Sequence, residues 1–128
     1  ARPPADGRLT PPPPRSRRSD ARPRATPEMI VVIGDVCIRE GSLDAAVALS
    51  REHVERSRRE TGCISHDVHH HVDDAHRKVF VERWADRAAI DAHFGVPETD
   101  TFARELTALA TDRPIGEVHE VATRPAAN

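Results

Sequence analysis

A chain of 128 residues with 38% apolar content and a formal net charge of −2 has material for one modest domain. Its two cysteines, Cys37 and Cys63, are too few for a disulfide framework or a thiolate zinc site and are expected as free thiols. No run approaches the ~20 apolar residues that a membrane helix needs.

Residues 1–28 hold eight of the eleven prolines and seven arginines against Asp6, Asp20 and Glu28, with almost nothing apolar. Such a stretch cannot bury enough surface to offset chain entropy, so a disordered tail is expected. Its charge of +4 leaves −6 for residues 29–128, a basic tail on an acidic domain. Basic tails of this kind are usually only solvated, so neither a nucleic-acid nor a membrane partner is expected. The tail lacks the apolar centre of a secretory signal. Met29, the sole methionine, stands where the apolar pattern begins and is a candidate natural start. The expectation is a cytoplasmic domain over residues 29–124, followed by disordered residues 125–128.

Met29 to Ile38 is a β-branched run, apolar on both alternating faces in its first half, and reads as a central strand covered on both sides. Gly41-Ser42 turns the chain, and Ser42 can cap a helix whose inner stripe is Leu43, Ala46, Val47, Ser50 and Val54. Gly62 supplies a left-handed stop. Cys63 to Val72 then sets Ile64, His66, Val68, His70 and Val72 against Ser65, Asp67, His69 and His71, a strand whose apolar face is broken by two histidines. Asp73-Asp74-Ala75-His76 reads as a turn into a third strand, Lys78 to Trp84, with Phe80, Glu82 and Trp84 on one face.

Asp86 can cap a short helix carrying Ala89, Ile90, His93 and Phe94 in one stripe, which Gly95 and Pro97 end. A further helix from about Thr99 to Ala110 carries Phe102, Leu106 and Leu109, and Gly116 to Thr123 reads as a last strand. This order, with right-handed crossovers, gives an α+β fold: a ferredoxin-like split βαβ sheet with the first and third strands in the middle and helices on one face. The doubly apolar first strand needs cover on its other face as well. A second copy of the sheet, forming a homodimeric α+β barrel, supplies it.

Trp84 and His93, an indole and an imidazole on stripes facing one interior, read either as plain core or as the lining of a small-molecule pocket. The run His69-His70-His71, with His66 and His76 nearby, invites a metal reading, since imidazole suits zinc, copper, nickel and iron. On a strand, however, His69 and His71 share one face while His70 points away, and no third ligand stands at a recognised spacing. No metal site is therefore assigned.

The chain resembles the antibiotic biosynthesis monooxygenase family of dimeric α+β barrels, over about residues 29–123. The matching pieces are Met29 to Ile38 leading to Arg39-Glu40-Gly41, then Arg59 to Ser65, Val81-Glu82-Arg83-Trp84, and Ala89-Ile90-Asp91-Ala92-His93-Phe94. The resemblance implies a cavity between helices and sheet, with the family's Trp on Trp84 and its helical His on His93. Two departures stand out: Val96-Pro97-Glu98 replaces a frequent Pro-His pair, and His66 replaces an aromatic residue after the Gly-Cys turn. The haem-degrading branch relies on an Asn in the first strand, where this chain has Gly34-Asp35; its single Asn is Asn128.

Family members that oxygenate without metal or flavin deprotonate an electron-rich aromatic substrate, whose anion reacts with dioxygen. Imidazole, with an ordinary pKa of ~6.5, suits that proton transfer. That chemistry makes His93 the first candidate base and His66 the second, with Trp84 stacking on the substrate ring. Phe80 and Phe94 would line the slot, and Asp35 or Glu82 would orient a histidine. The expected function is a monooxygenase with no cofactor, acting on a small aromatic or quinol substrate. The alternatives are a haem-binding or haem-degrading protein and a non-catalytic small-ligand barrel.

Overall fold

The computed structural model describes residues 29–122, so the expected tail at 1–28 and the C-terminal residues 125–128 lie outside the described residues. The elements run β1 (Met29–Cys37), α1 (Leu43–Ser57), β2 (Cys63–His71), β3 (Asp74–Trp84), α2 (Arg87–Phe94), α3 (Pro97–Leu109) and β4 (Ile115–Val121). All strands are antiparallel in the order β2-β3-β1-β4, so β1 and β3 are central as the crossover argument requires. None of the helices among the described residues is long and apolar enough to cross a membrane.

Period-2 alternation assigns the two faces of the sheet. Ile30, Val32 and Val36 of β1, with Lys78, Phe80, Glu82 and Trp84 of β3, are buried on the face that the helices cover. Register pairs Ile33 with Val81 and with Glu117 on the opposite face, where Ile33 is 39% exposed and no helix packs among the described residues.

Local chemistry explains most element boundaries. Asp86 caps α2 by accepting from the Ala89 amide at 2.9 Å. Ser42 occupies the equivalent position before α1, but its side chain makes no capping bond; its carbonyl accepts from the Ala46 amide instead. Pro97, expected to end the preceding helix, opens α3, where its fixed φ fits and its missing N–H would have had no partner. The β2–β3 turn is tighter than expected, because pairing already begins at Asp74.

A register shift between Cys63 and Ser65 corrects the alternation expected at the start of β2. Cys63 packs against the core while Ile64 is left 57% exposed. Beyond the irregularity, His66 lies on the helix face opposite Glu82.

Gly62 has φ +85°, and a β-carbon there would lie 2.5 Å from the Ala89 side chain. A left-handed glycine therefore both turns the chain into β2 and lets α2 approach it closely. That approach carries His93 toward His66.

Candidate active site

The helix-covered face divides into two packed clusters. One gathers Val36, Ile38, Ala46, Val54, Phe80 and Leu106; the other gathers Ile30, Val32, Trp84 and Ile90. Three buried imidazoles stand beside them: His53 from α1, His66 from β2 and His93 from α2. His53 escaped the sequence reading, although its place three residues after Ser50 and four before Ser57 puts it on the buried stripe of α1.

The His53 ring stacks flat on Phe102 of α3 with centroids 3.9 Å apart and lies 5.1 Å from His66 and 5.5 Å from His93. One nitrogen from each of the three imidazoles lies within 4.8 Å of the others.

Carboxylates hold two sides of this group. Glu60, in the turn before β2, sits 2.8 Å from His93 Nδ1 and fixes that ring. Glu82 places Oε1 3.4 Å from His66 Nε2 and 3.9 Å from His93 Nε2, and the same oxygen accepts from the Trp84 indole N–H at 2.9 Å. Arg56 donates to His53 Nδ1 at 2.6 Å. Both ring nitrogens of His66 are buried without a hydrogen-bond partner. An unmet polar atom in such a position costs about 1–3 kcal/mol.

Electrostatics follow from burial. Desolvation, helped by the neighbouring His66, His93 and Arg56, lowers His53 to about 3. Desolvation followed by His93 lowers His66 to about 3 as well, against a raising contribution from Asp67. Burial pushes the Glu82 carboxyl up, while the Trp84 N–H pulls part of the way back. Both His53 and His66 are therefore neutral near pH 7, with lone pairs available.

An adjoining cavity of about 490 Å³ has walls of Val32, Phe80, Phe94, Phe102 and Leu106, with His53, His66 and Glu82 as its buried titratable groups. That volume is within the roughly 300–1,000 Å³ usual for ligand pockets. Among the residues singled out from sequence, His66, Phe80, Glu82, Phe94 and Asp35 reach this cavity. Asp35 stands at its edge with its carboxylate bound to Arg77.

His93 and Trp84 pack ring against ring, 4.5 Å apart, next to Glu82 and are not among the wall residues. Trp84 is fully buried with its N–H already used, so stacking on a ligand in this cavity is not the role its position gives it. His69, His70 and His71 are all exposed on β2, away from the three imidazoles. Cys37 and Cys63 are free thiols.

Residues 29–105 match the sequence profile of the family described as antibiotic biosynthesis monooxygenase. A Synechocystis protein described as uncharacterised is 30% identical over 93 residues, which is 73% of this chain and 63% of that protein. The chain thus spans a little under two thirds of that relative's length. A solved structure from Mycobacterium tuberculosis is 27% identical, with a TM-score of 0.68 over 78% of this chain and 99% of that one. A Nitrosomonas europaea structure, provisionally described as an antibiotic biosynthesis monooxygenase, superposes with a TM-score of 0.70 at 22% identity, over 75% of this chain and 92% of that one. The chain belongs to the antibiotic biosynthesis monooxygenase family.

Proposed function

We propose that this protein is a monooxygenase that uses dioxygen to oxidise a small, flat aromatic or quinol substrate, and that the chemical step uses no flavin or metal. The observation that carries this reading is the apolar, phenylalanine-walled cavity whose buried titratable groups are His53, His66 and Glu82. Phe80, Phe94 and Phe102 give a flat ring aromatic walls to lie against. His66, with its nitrogens unengaged, takes the substrate proton; because burial holds this ring at about 3, the imidazolium is a transient carrier that depends on a carboxylate beside it. Glu82, 3.4 Å from His66 Nε2 and anchored by Trp84, stabilises the imidazolium that results.

His93, steadied by Glu60, extends this chain of groups to a second carboxylate. The substrate anion then supplies its electrons to dioxygen. For a methylene flanked by aryl rings, four electrons leave the carbon: one oxygen atom becomes the new carbonyl, and the other leaves with the two hydrogens as water. The second copy of the sheet expected from β1 would cover the face that bears Ile33, so the working unit proposed is a homodimer.

An oxygen electrode tests the reading, using chelator-treated protein and a panel of anthrones and hydroquinones. The expected result is oxygen uptake that falls about 10²–10⁴-fold in His66→Leu. Smaller losses are expected in His93→Ala and Trp84→Phe, which disturb the support for Glu82. No uptake with any member of the panel would overturn it.

A further inference from the structure

We propose that His53, His66 and His93 form a binding site for one divalent first-row transition-metal ion, with Glu82 placed to give a fourth, oxygen ligand. Four observations converge on it. The three imidazoles come from three different elements, yet one nitrogen of each lies within 4.8 Å of the others. All three are buried, where three imidazoles with no task would be an expensive choice over aliphatic side chains.

His66 is fully buried with neither ring nitrogen satisfied, a position that a metal bond would resolve. The supporting groups also suit ligation. Glu60 on Nδ1 of His93 leaves Nε2 as the nitrogen that ring can offer, the usual carboxylate-histidine-metal arrangement. Phe102, stacked on His53, fixes the plane of that ring. Glu82 Oε1 already lies 3.4 Å and 3.9 Å from the Nε2 atoms of His66 and His93.

Metal–nitrogen bonds of about 2.1 Å in a tetrahedral site hold their nitrogens roughly 3.4 Å apart. The cluster is somewhat wider than that, so the rings must draw together on binding. Three imidazoles and one carboxylate favour zinc, copper, nickel, cobalt or iron over magnesium or calcium. Because His53, His66 and Glu82 also line the cavity, an ion held here would sit against the space where a small ligand enters.

Arg56 opposes binding. A guanidinium can only donate, so Arg56 at 2.6 Å from His53 Nδ1 leaves the ring proton on Nε2. Coordination through Nε2 must expel that proton and turn Arg56 away, and the Glu98 carbonyl, already 3.3 Å from Arg56 Nη2, offers it a place to go. Removing Arg56 should therefore tighten the site, since a competing donor and a nearby positive charge both disappear.

The test is a titration of chelator-stripped, dialysed full-length protein with Co²⁺, followed by its visible d–d absorption. Saturation at one ion per chain is expected, with displacement by Zn²⁺ and no response to Mg²⁺. His53→Gln should weaken Co²⁺ binding at least tenfold, Arg56→Ala should strengthen it, and the double variant His69→Ala/His71→Ala should leave it unchanged. Absence of a d–d band would overturn the proposal. So would binding that survives His53→Gln but is lost in the His69/His71 variant, which would place the ion on the exposed strand histidines. An ion on these nitrogens occupies the lone pair that the proposed proton transfer uses, so Zn²⁺ loading should suppress oxygen uptake. The spectroscopic titration needs no activity, so this proposal and the oxygenase reading can fail separately.

Discussion

The two ends of the helix-covered sheet face use the same elements but fill their interiors differently. Around Phe80 the space is closed by Val36, Ile38, Ala46, Val54 and Leu106, an apolar cluster of the kind that stabilises any small domain. Around Trp84 the apolar residues Ile30, Val32 and Ile90 share the interior with His66, His93 and Glu82, while His53, stacked on Phe102, stands at the border between the two ends. Dispersion and the hydrophobic effect account for the first arrangement. The second keeps two unsatisfied nitrogens on His66 and a carboxyl pushed up by burial, which packing alone would not select. The Trp84 end therefore concentrates the titratable groups, while the Phe80 end supplies the apolar packing and the aromatic walls of the cavity.

The largest expected effect lies at the apolar end. Leu106→Ala removes a side chain that is 5% exposed within the Phe80 cluster and should destabilise the fold by about 2–5 kcal/mol in urea denaturation. Because Leu106 also lines the cavity, ligand binding should change as well. A loss well below 1 kcal/mol would mean that this end is not the stabilising one.

Acid sharpens the contrast, because it acts on the polar end. His53 and His66 sit at about 3 in the folded protein, against an ordinary value of 6.5. As pH falls below 6.5 the unfolded chain binds protons at these rings while the folded chain does not, so stability falls with pH until about pH 3. Each ring contributes up to about 1.4 kcal/mol per pH unit in that window. Glu82 works in the opposite sense: its raised folded value lets the native state hold a proton that the unfolded chain releases, which offsets part of the loss as pH falls toward the ordinary carboxyl range. Urea midpoints of metal-free protein between pH 7 and pH 5 should fall, and His53→Gln should flatten the slope. A flat profile in the unsubstituted chain would show that these imidazoles are not held neutral by burial.

The apolar end and the strand order were legible in the sequence because they rest on periodicity. Alternation put Phe80, Glu82 and Trp84 on one face, and helical spacing put Phe102 and Leu106 on another. The polar end was legible only in part. His66, Glu82, His93 and Trp84 could be named singly, but their meeting depends on the close approach at Gly62 and on the register His66–Glu82. His53 was hidden because a helical stripe read by hydrophobicity passes over a histidine, although its heptad position with Ala46, Ser50 and Ser57 was there to be seen. The metal reading went to the conspicuous His69-His70-His71 run. Adjacent residues on a strand point to opposite faces, whereas a shared site needs side chains from separate elements.

The smallest expected effect is also the one that separates the two ends most directly. His66→Leu replaces a fully buried ring, whose two nitrogens lack partners, by an aliphatic side chain of comparable size. Removing buried polar atoms that are already unpaired carries no penalty for the bonds they never made. Glu82 loses a neighbour at 3.4 Å but keeps the Trp84 donor at 2.9 Å. The variant should therefore be as stable as the parent or gain about 1 kcal/mol, in contrast to the loss at Leu106, while oxygen uptake and Co²⁺ binding both fall. Urea midpoints at pH 7 on metal-free protein measure the stability arm without interference from a bound ion. If His66→Leu instead destabilised the fold as strongly as Leu106→Ala, His66 would be ordinary core, and the contrast between the two ends would disappear.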